Sequence, residues 1–221
     1  MIFFIFLVSL DMIFFDFHHH KSNNSYGIYN LDLGENFSEG NFSVGIHPKD
    51  IDENWEENLE KIKEISLQKN CLAIGECGLD ALIEIDENLQ KKVFEAQILW
   101  ANEINKPVII HCVKRFQKLI PFQKLAKVPL IIHGFNKKKS VAEEMLKHGF
   151  YLSFGKSVLY NLSLQAIVKD FPLEKMFLET DDADFDIENL YQKVAELKEI
   201  SVEKLQEQIS KNLEKLNIQI I

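Results

Sequence analysis

Short apolar runs recur along this chain, most of them separated by stretches of helical periodicity. Eight read as strands: MIFFDF (12–17), YGIYNL (26–31), NFSVGI (41–46), CLAIG (71–75), PVIIHC (107–112), VPLIIH (128–133), FYLSFG (150–155) and KMFLET (175–180). Most lack the polar alternation of a strand with one wet face, so they suit parallel strands covered on both sides. Helical patterns follow at 54–69, 87–105, 115–127 with Pro121 as an interruption, 140–148, 162–170, 187–200 and 202–216. Ser140, with Glu143 three residues on, has the spacing of a capping box, and Gly149 is placed to stop that helix. This order predicts an α/β fold, a (β/α)8 TIM barrel. Residues 21–41 leave room for a strand but show no helical pattern. The barrel is therefore expected to be distorted and shortened near its first and second helices, with residues 12–221 as one unit.

Several runs end in groups that bind divalent metals. In Asp16-Phe17-His18-His19-His20 the alternation of an extended segment puts His18 and His20 on one side and turns His19 away. Glu76 follows the fourth run and can bridge two cations with its two oxygens. His111 and His133 end neighbouring runs. Asp181 follows the last run, which lies beside the first once a barrel closes. Imidazoles and carboxylates delivered from strand ends to one face are the ingredients of a catalytic metal site, where a bound water becomes acidic enough to act at neutral pH.

The ordered set FDFHHH, GIHP (45–48), AIGECGLD (73–80), KPVIIHC (106–112), IIHGF (131–135), YLSFG (151–155) and FLETD (177–181) resembles the TatD family of metal-dependent hydrolases, a branch of the amidohydrolase-like barrels. The resemblance implies two divalent ions, of Mg, Mn or Zn. His18, His20 and Asp181 would hold one, His111 and His133 the other, with Glu76 shared. It implies that Asp181 and Glu76 are catalytic, Asp181 orienting or deprotonating the attacking water, and that His47 of GIHP binds substrate. The implied activity is Mg2+-supported hydrolysis of phosphodiester bonds in DNA. Departures from the family pattern include Ala81-Leu82 after Asp80, Lys114 where an arginine is common, and Ala183 where proline is common. These leave the metal ligands in place and keep a second substrate class open, namely small amides, esters or lactones.

The formal net charge is −9, which argues against affinity for nucleic acid built on a basic surface, although bound cations reverse the local charge at a site. Partners are therefore expected to be DNA ends or a small molecule, with no obligate protein partner. Lys114, Arg115 and Lys137 to Lys139 are the cations nearest the expected ligand loops. Three cysteines without paired or metal-finger spacing point to a reducing, cytoplasmic setting, with Cys71, Cys77 and Cys112 as small buried residues. The frequent phenylalanines, 17 in all, are expected to fill the core. The apolar N-terminus is too short to span a bilayer and lacks signal-peptide flanks. Met12 opens the first motif run directly, so residues 1–11 are expected to be a dispensable extension.

Overall fold

Every described strand is parallel to its neighbours and pairs with the strand before and after it in the chain. The computed structural model describes residues 14–21, 26–35 and 40–219. Its strands are β1 (Asp16–His19), β2 (Gly27–Leu31), β3 (Phe42–Val44), β4 (Cys71–Asp80), β5 (Val108–Val113), β6 (Leu130–Ile132), β7 (Tyr151–Phe154) and β8 (Met176–Leu178), in the spatial order β1 to β8. The ring closes beyond β8, where Asp181 N–H donates to His18 O at 2.9 Å and His20 N–H donates to Asp181 O at 3.2 Å. Phe17 and Phe177 stack across this seam with ring centroids 4.1 Å apart. The helices are α1 (Trp55–Ser66), α2 (Glu87–Ile104), α3 (Phe116–Leu125), α4 (Lys139–Lys147), α5 (Leu162–Asp170), α6 (Ile187–Lys198) and α7 (Val202–Lys215). This is the expected TIM barrel. The connections 20–26 and 32–41 carry no helix among their described residues, as the sequence pattern anticipated.

The strand runs are apolar because they are enclosed on both faces, and β2, β3, β4, β6, β7 and β8 are buried at every position. Ten phenylalanines belong to the one buried core cluster, including Phe17, Phe42, Phe154 and Phe177. Helix α2 does more than cover the sheet. Its buried Gln97 accepts from Ile46 N–H at 2.7 Å, and its Gln90 accepts from Asp80 N–H at 2.8 Å. Two amide side chains thus bind the helix to the ends of β3 and β4, where functional residues emerge. No helix among the described residues is long and apolar enough to cross a membrane.

Several details differ from the sequence expectation. The strand expected at 12–17 starts at Asp16 and runs to His19, because its partner β2 begins at Gly27 in register with Asp16. Residues 1–13, including the Met12 start, lie outside the described residues. The strand expected to end at Gly75 continues through Glu76 to Asp80. Gly75 and Gly78 stop nothing: they let β4 lie against β5 where a Cβ would stand 2.4 Å from Ile109 O and 2.1 Å from His111 O. Ser140 does not cap α4, which begins one residue earlier behind an extended Lys138 with no side-chain cap. Helix α3 runs through Pro121, which sits on the exposed side, where water can serve the carbonyl left without a donor.

Candidate metal centre

The C-terminal ends of β1, β4, β5, β6 and β8 converge on Glu76. This carboxylate is 7 % exposed and its two oxygens face different partners. Oε1 lies 2.7 Å from His133 Nε2 and 2.8 Å from His111 Nδ1. Oε2 faces the β1 histidines, 3.5 Å from His18 Nε2 and 3.7 Å from His20 Nε2. Asp181 Oδ1 approaches the same two imidazoles from the opposite side, at 3.8 and 3.6 Å. All six ligands expected from the sequence therefore meet in one place. Their donor atoms fall into overlapping sets, such as His18–Glu76–His133 and His18–His20–Asp181, with all atoms of a set within 4.8 Å of one another. His19 turns away, as expected, toward the ring of Tyr29.

The donor set fits divalent cations. His18 is fully buried, yet neither of its ring nitrogens has a hydrogen-bond partner, and His133 Nδ1 is also unpartnered. Burying such groups without a partner is costly, and a metal satisfies an imidazole lone pair. The electrostatics point the same way. Burial works against the charge of Glu76, but His133 and hydrogen bonds from the surrounding histidines outweigh it and hold the carboxyl far below its usual range. Burial likewise opposes a charged His133, but Glu76 and then Glu179 pull its pKa well above the usual value. Without metal, a proton on His133 supplies the positive charge that the carboxylates demand. Burial raises the Asp181 carboxyl above its ordinary value. Asp181 also takes up a left-handed backbone conformation, with φ 54°.

His47 sits at the turn after β3, and its Nε2 lies 3.6 Å from Glu76 Oε1. Its Nδ1 accepts a hydrogen bond from Lys49 N–H at 3.0 Å. Burial lowers its pKa to about 4, so the ring is neutral near pH 7 and carries its proton on Nε2. His47 thus presents a donor to the site, although its position also groups it with Glu76 and His111. Clefts open on both sides of the centre. One, of about 330 Å³, is lined by Asn30, Asp32, His47, Lys49 and Asp50; the other, of about 320 Å³, by Gly134, Asn136, Lys156, Ser157 and Asp181.

Three further acids belong to the centre and had no role in the sequence reading. Asp80 Oδ2 lies 3.0 Å from His111 Nε2. Glu179 is fully buried, accepts from Gly134 N–H and lies 3.7 Å from His133 Nδ1. Asp16 accepts from Thr180 N–H at 2.8 Å and from Thr180 Oγ1 at 2.6 Å, tying β1 to the segment that carries Asp181. The alternation of an extended chain was a usable signal for two of them: Asp80 is four residues from Glu76, and Glu179 two from Asp181. The cysteines behave as expected. All three are buried free thiols, and burial raises each pKa, to about 11 for Cys71 and about 12 for Cys112. Two of the five nearby cations are engaged: Arg115 pairs with Glu87 at 3.0 Å and Lys139 with Asp170 at 2.7 Å.

The chain is similar to several known proteins. A family model described as TatD related DNase matches residues 16–217. The chain is 32 % identical over 180 residues to YabD of Bacillus subtilis, named an uncharacterized metal-dependent hydrolase, covering 73 % of this chain and 71 % of YabD. It is 33 % identical over 135 residues to the 3′-5′ ssDNA/RNA exonuclease TatD of Escherichia coli K12, covering 55 % of this chain and 50 % of that protein. The crystal structure of YJJV, a TatD homologue from E. coli K12, superposes with a TM-score of 0.78 at 19 % identity, over 93 % of this chain and 98 % of that one, a likeness of fold.

Proposed function

Because the chain belongs to the TatD family of metal-dependent hydrolases, we propose that it is a deoxyribonuclease that hydrolyses phosphodiester bonds, with residues 12–221 as its catalytic unit. The observation that carries this reading is the division of Glu76, one oxygen toward His111 and His133 and the other toward His18 and His20. His18, His20 and Asp181 would hold one divalent ion and His111 and His133 the second, with Glu76 shared. Bound there, Mg2+, Mn2+ or Zn2+ would supply Lewis acidity toward the phosphoryl group and a lowered pKa for water. Asp181 reaches over this centre with a carboxyl that burial has made more basic, which suits it to orient the attacking water and accept its proton. His47 offers its Nε2–H to a non-bridging phosphate oxygen, the role its Lys49-fixed tautomer allows. The names carried by the E. coli relative support nucleic acid as the substrate. The reduced, buried thiols suit a cytoplasmic setting.

A second reading has its own observation. The cleft beside His47 is lined by Asp32 and Asp50 and offers Lys49 as its lysine, while Arg115 is tied to Glu87. Such a lining suits a small uncharged amide, ester or lactone. Metal-loaded protein offered bis(p-nitrophenyl) phosphate and p-nitrophenyl acetate separates the two. Turnover of the phosphodiester supports the nuclease reading. Turnover of the carboxylic ester alone overturns it in favour of the second.

A further inference from the structure

We propose that Asp80 is a positioning residue that holds the His111 ring with Nδ1 toward the centre and thereby sets the affinity of the centre for its second ion. The proposal rests on the two-ion reading above. His111 has a carboxylate at each ring nitrogen: Glu76 Oε1 at 2.8 Å from Nδ1 and Asp80 Oδ2 at 3.0 Å from Nε2. A neutral imidazole has one N–H and one lone pair, and a metal takes only the lone pair. When an ion takes the lone pair at Nδ1, on the Glu76 side, the ring proton sits on Nε2, where Asp80 Oδ2 stands to accept it. That contact keeps Nδ1 turned toward the side of the site where Glu76 lies.

Asp80 is itself held independently of any ion. Its Oδ1 accepts from Leu82 N–H at 2.7 Å. Its backbone N–H donates to Gln90 Oε1 at 2.8 Å, and its carbonyl accepts from Gln90 Nε2 at 3.0 Å. The carboxylate is buried at the end of β4, so its direction is set by the sheet and by α2. His18, on the other side of Glu76, has no such support, since its Nδ1 lacks a hydrogen-bond partner. The effect of Asp80 is therefore confined to the ion that His111 and His133 would hold. Carboxylates behind metal-bound histidines set ring orientation and basicity, and their loss typically weakens metal binding about 10–100-fold.

The test compares wild type with Asp80→Asn and Asp80→Ala, stripped of metal and titrated calorimetrically with Mn2+ or Zn2+. In parallel, 15N NMR of histidine-labelled, Zn2+-loaded protein reads which nitrogen of His111 carries the proton, assigned with His111→Gln. An asparagine whose Oδ1 keeps the hydrogen bond from Leu82 N–H turns its NH2 toward Nε2, which favours a proton on Nδ1 and opposes metal binding there. The expected result is an Nε2–H tautomer in wild type, an Nδ1–H population in Asp80→Asn, and a second ion weakened about 10–100-fold in both variants with the first unchanged. An unchanged tautomer in Asp80→Asn, or two ions bound with wild-type affinity, overturns the proposal. Equal weakening of both ions with loss of circular dichroism also overturns it, making Asp80 a structural prop. If wild type binds one ion only, the two-ion reading fails, and an affinity for that ion unchanged in both variants also overturns the role of Asp80.

Discussion

Replacing Glu76 with glutamine tests the electrostatic account of the centre without reference to turnover. In the metal-free protein the Glu76 carboxylate is 7 % exposed and lies 2.7 Å from the buried, protonated His133 and 2.8 Å from His111. Removing one member of a buried, hydrogen-bonded charge pair costs about 3–5 kcal/mol. For a chain of this length that corresponds to a fall in Tm of roughly 6–20 °C. The cost depends on pH with a definite sign. The pKa of Glu76 is depressed below its ordinary 4.5, so its contribution is present above pH 4.5 and lost as pH falls through the depressed value. The pKa of His133 is raised above 6.5, so its contribution is complete below pH 6.5 and lost as pH rises through the raised value. The gap between wild type and Glu76→Gln is therefore widest between pH 4.5 and 6.5. At higher pH His133 sheds its proton and the gap narrows toward the ~1–2 kcal/mol of neutral hydrogen bonds. Urea denaturation in EDTA across pH 5 to 9.5 measures it. A gap under about 1 kcal/mol at pH 5.5, or one that does not change with pH, would refute the reasoning.

Gly78→Ala would place a Cβ 2.1 Å from His111 O at a backbone φ of 147°, so the expected loss is about 3 kcal/mol or more in urea denaturation, together with loss of the second ion. Near-wild-type stability would mean that β4 and β5 are not packed as described. Thr180→Val removes the hydroxyl that donates to buried Asp16, whose pKa burial has already raised to about 6. It should cost about 1–3 kcal/mol above pH 6, where Asp16 is ionised, and less below it; denaturation at pH 5 and pH 8 gives the comparison, and equal losses would contradict it. Metal affinity should rise with pH because His133 must release its proton to bind. Calorimetry in buffers of different ionisation enthalpy should find proton release at pH 7, and its absence would count against His133 as a ligand.

Much of this architecture is written locally. Parallel strands enclosed on both faces must be apolar along their length, and so VIIH, LIIH and MFLETD mark both the strands and the points where they reach the centre. The ligand order is legible for the same reason, since each ligand closes or follows the apolar run that carries it to the centre. What escaped depends on neighbours distant in sequence. The run CLAIG reads as a strand ending at Gly75, yet Gly75 and Gly78 both lie inside a ten-residue strand, where β5 comes too close for a side chain. Ser140 has the spacing of a cap, but the chain turns helical one residue earlier. The choice of which nitrogen of His111 meets Asp80 and which meets Glu76 is made by rotamers and register. So is the hydrogen bond from Lys49 N–H that settles the tautomer of His47, a residue that family resemblance alone had marked.

The measurement that tests the central claim most directly is release of mononucleotides from a labelled single-stranded oligonucleotide by metal-stripped protein, with Mg2+ or Mn2+ added back, beside Asp181→Asn. Metal-dependent release by wild type, absent from a variant that folds and still binds metal, is the predicted result. No release by folded, metal-loaded wild type would contradict the nuclease reading.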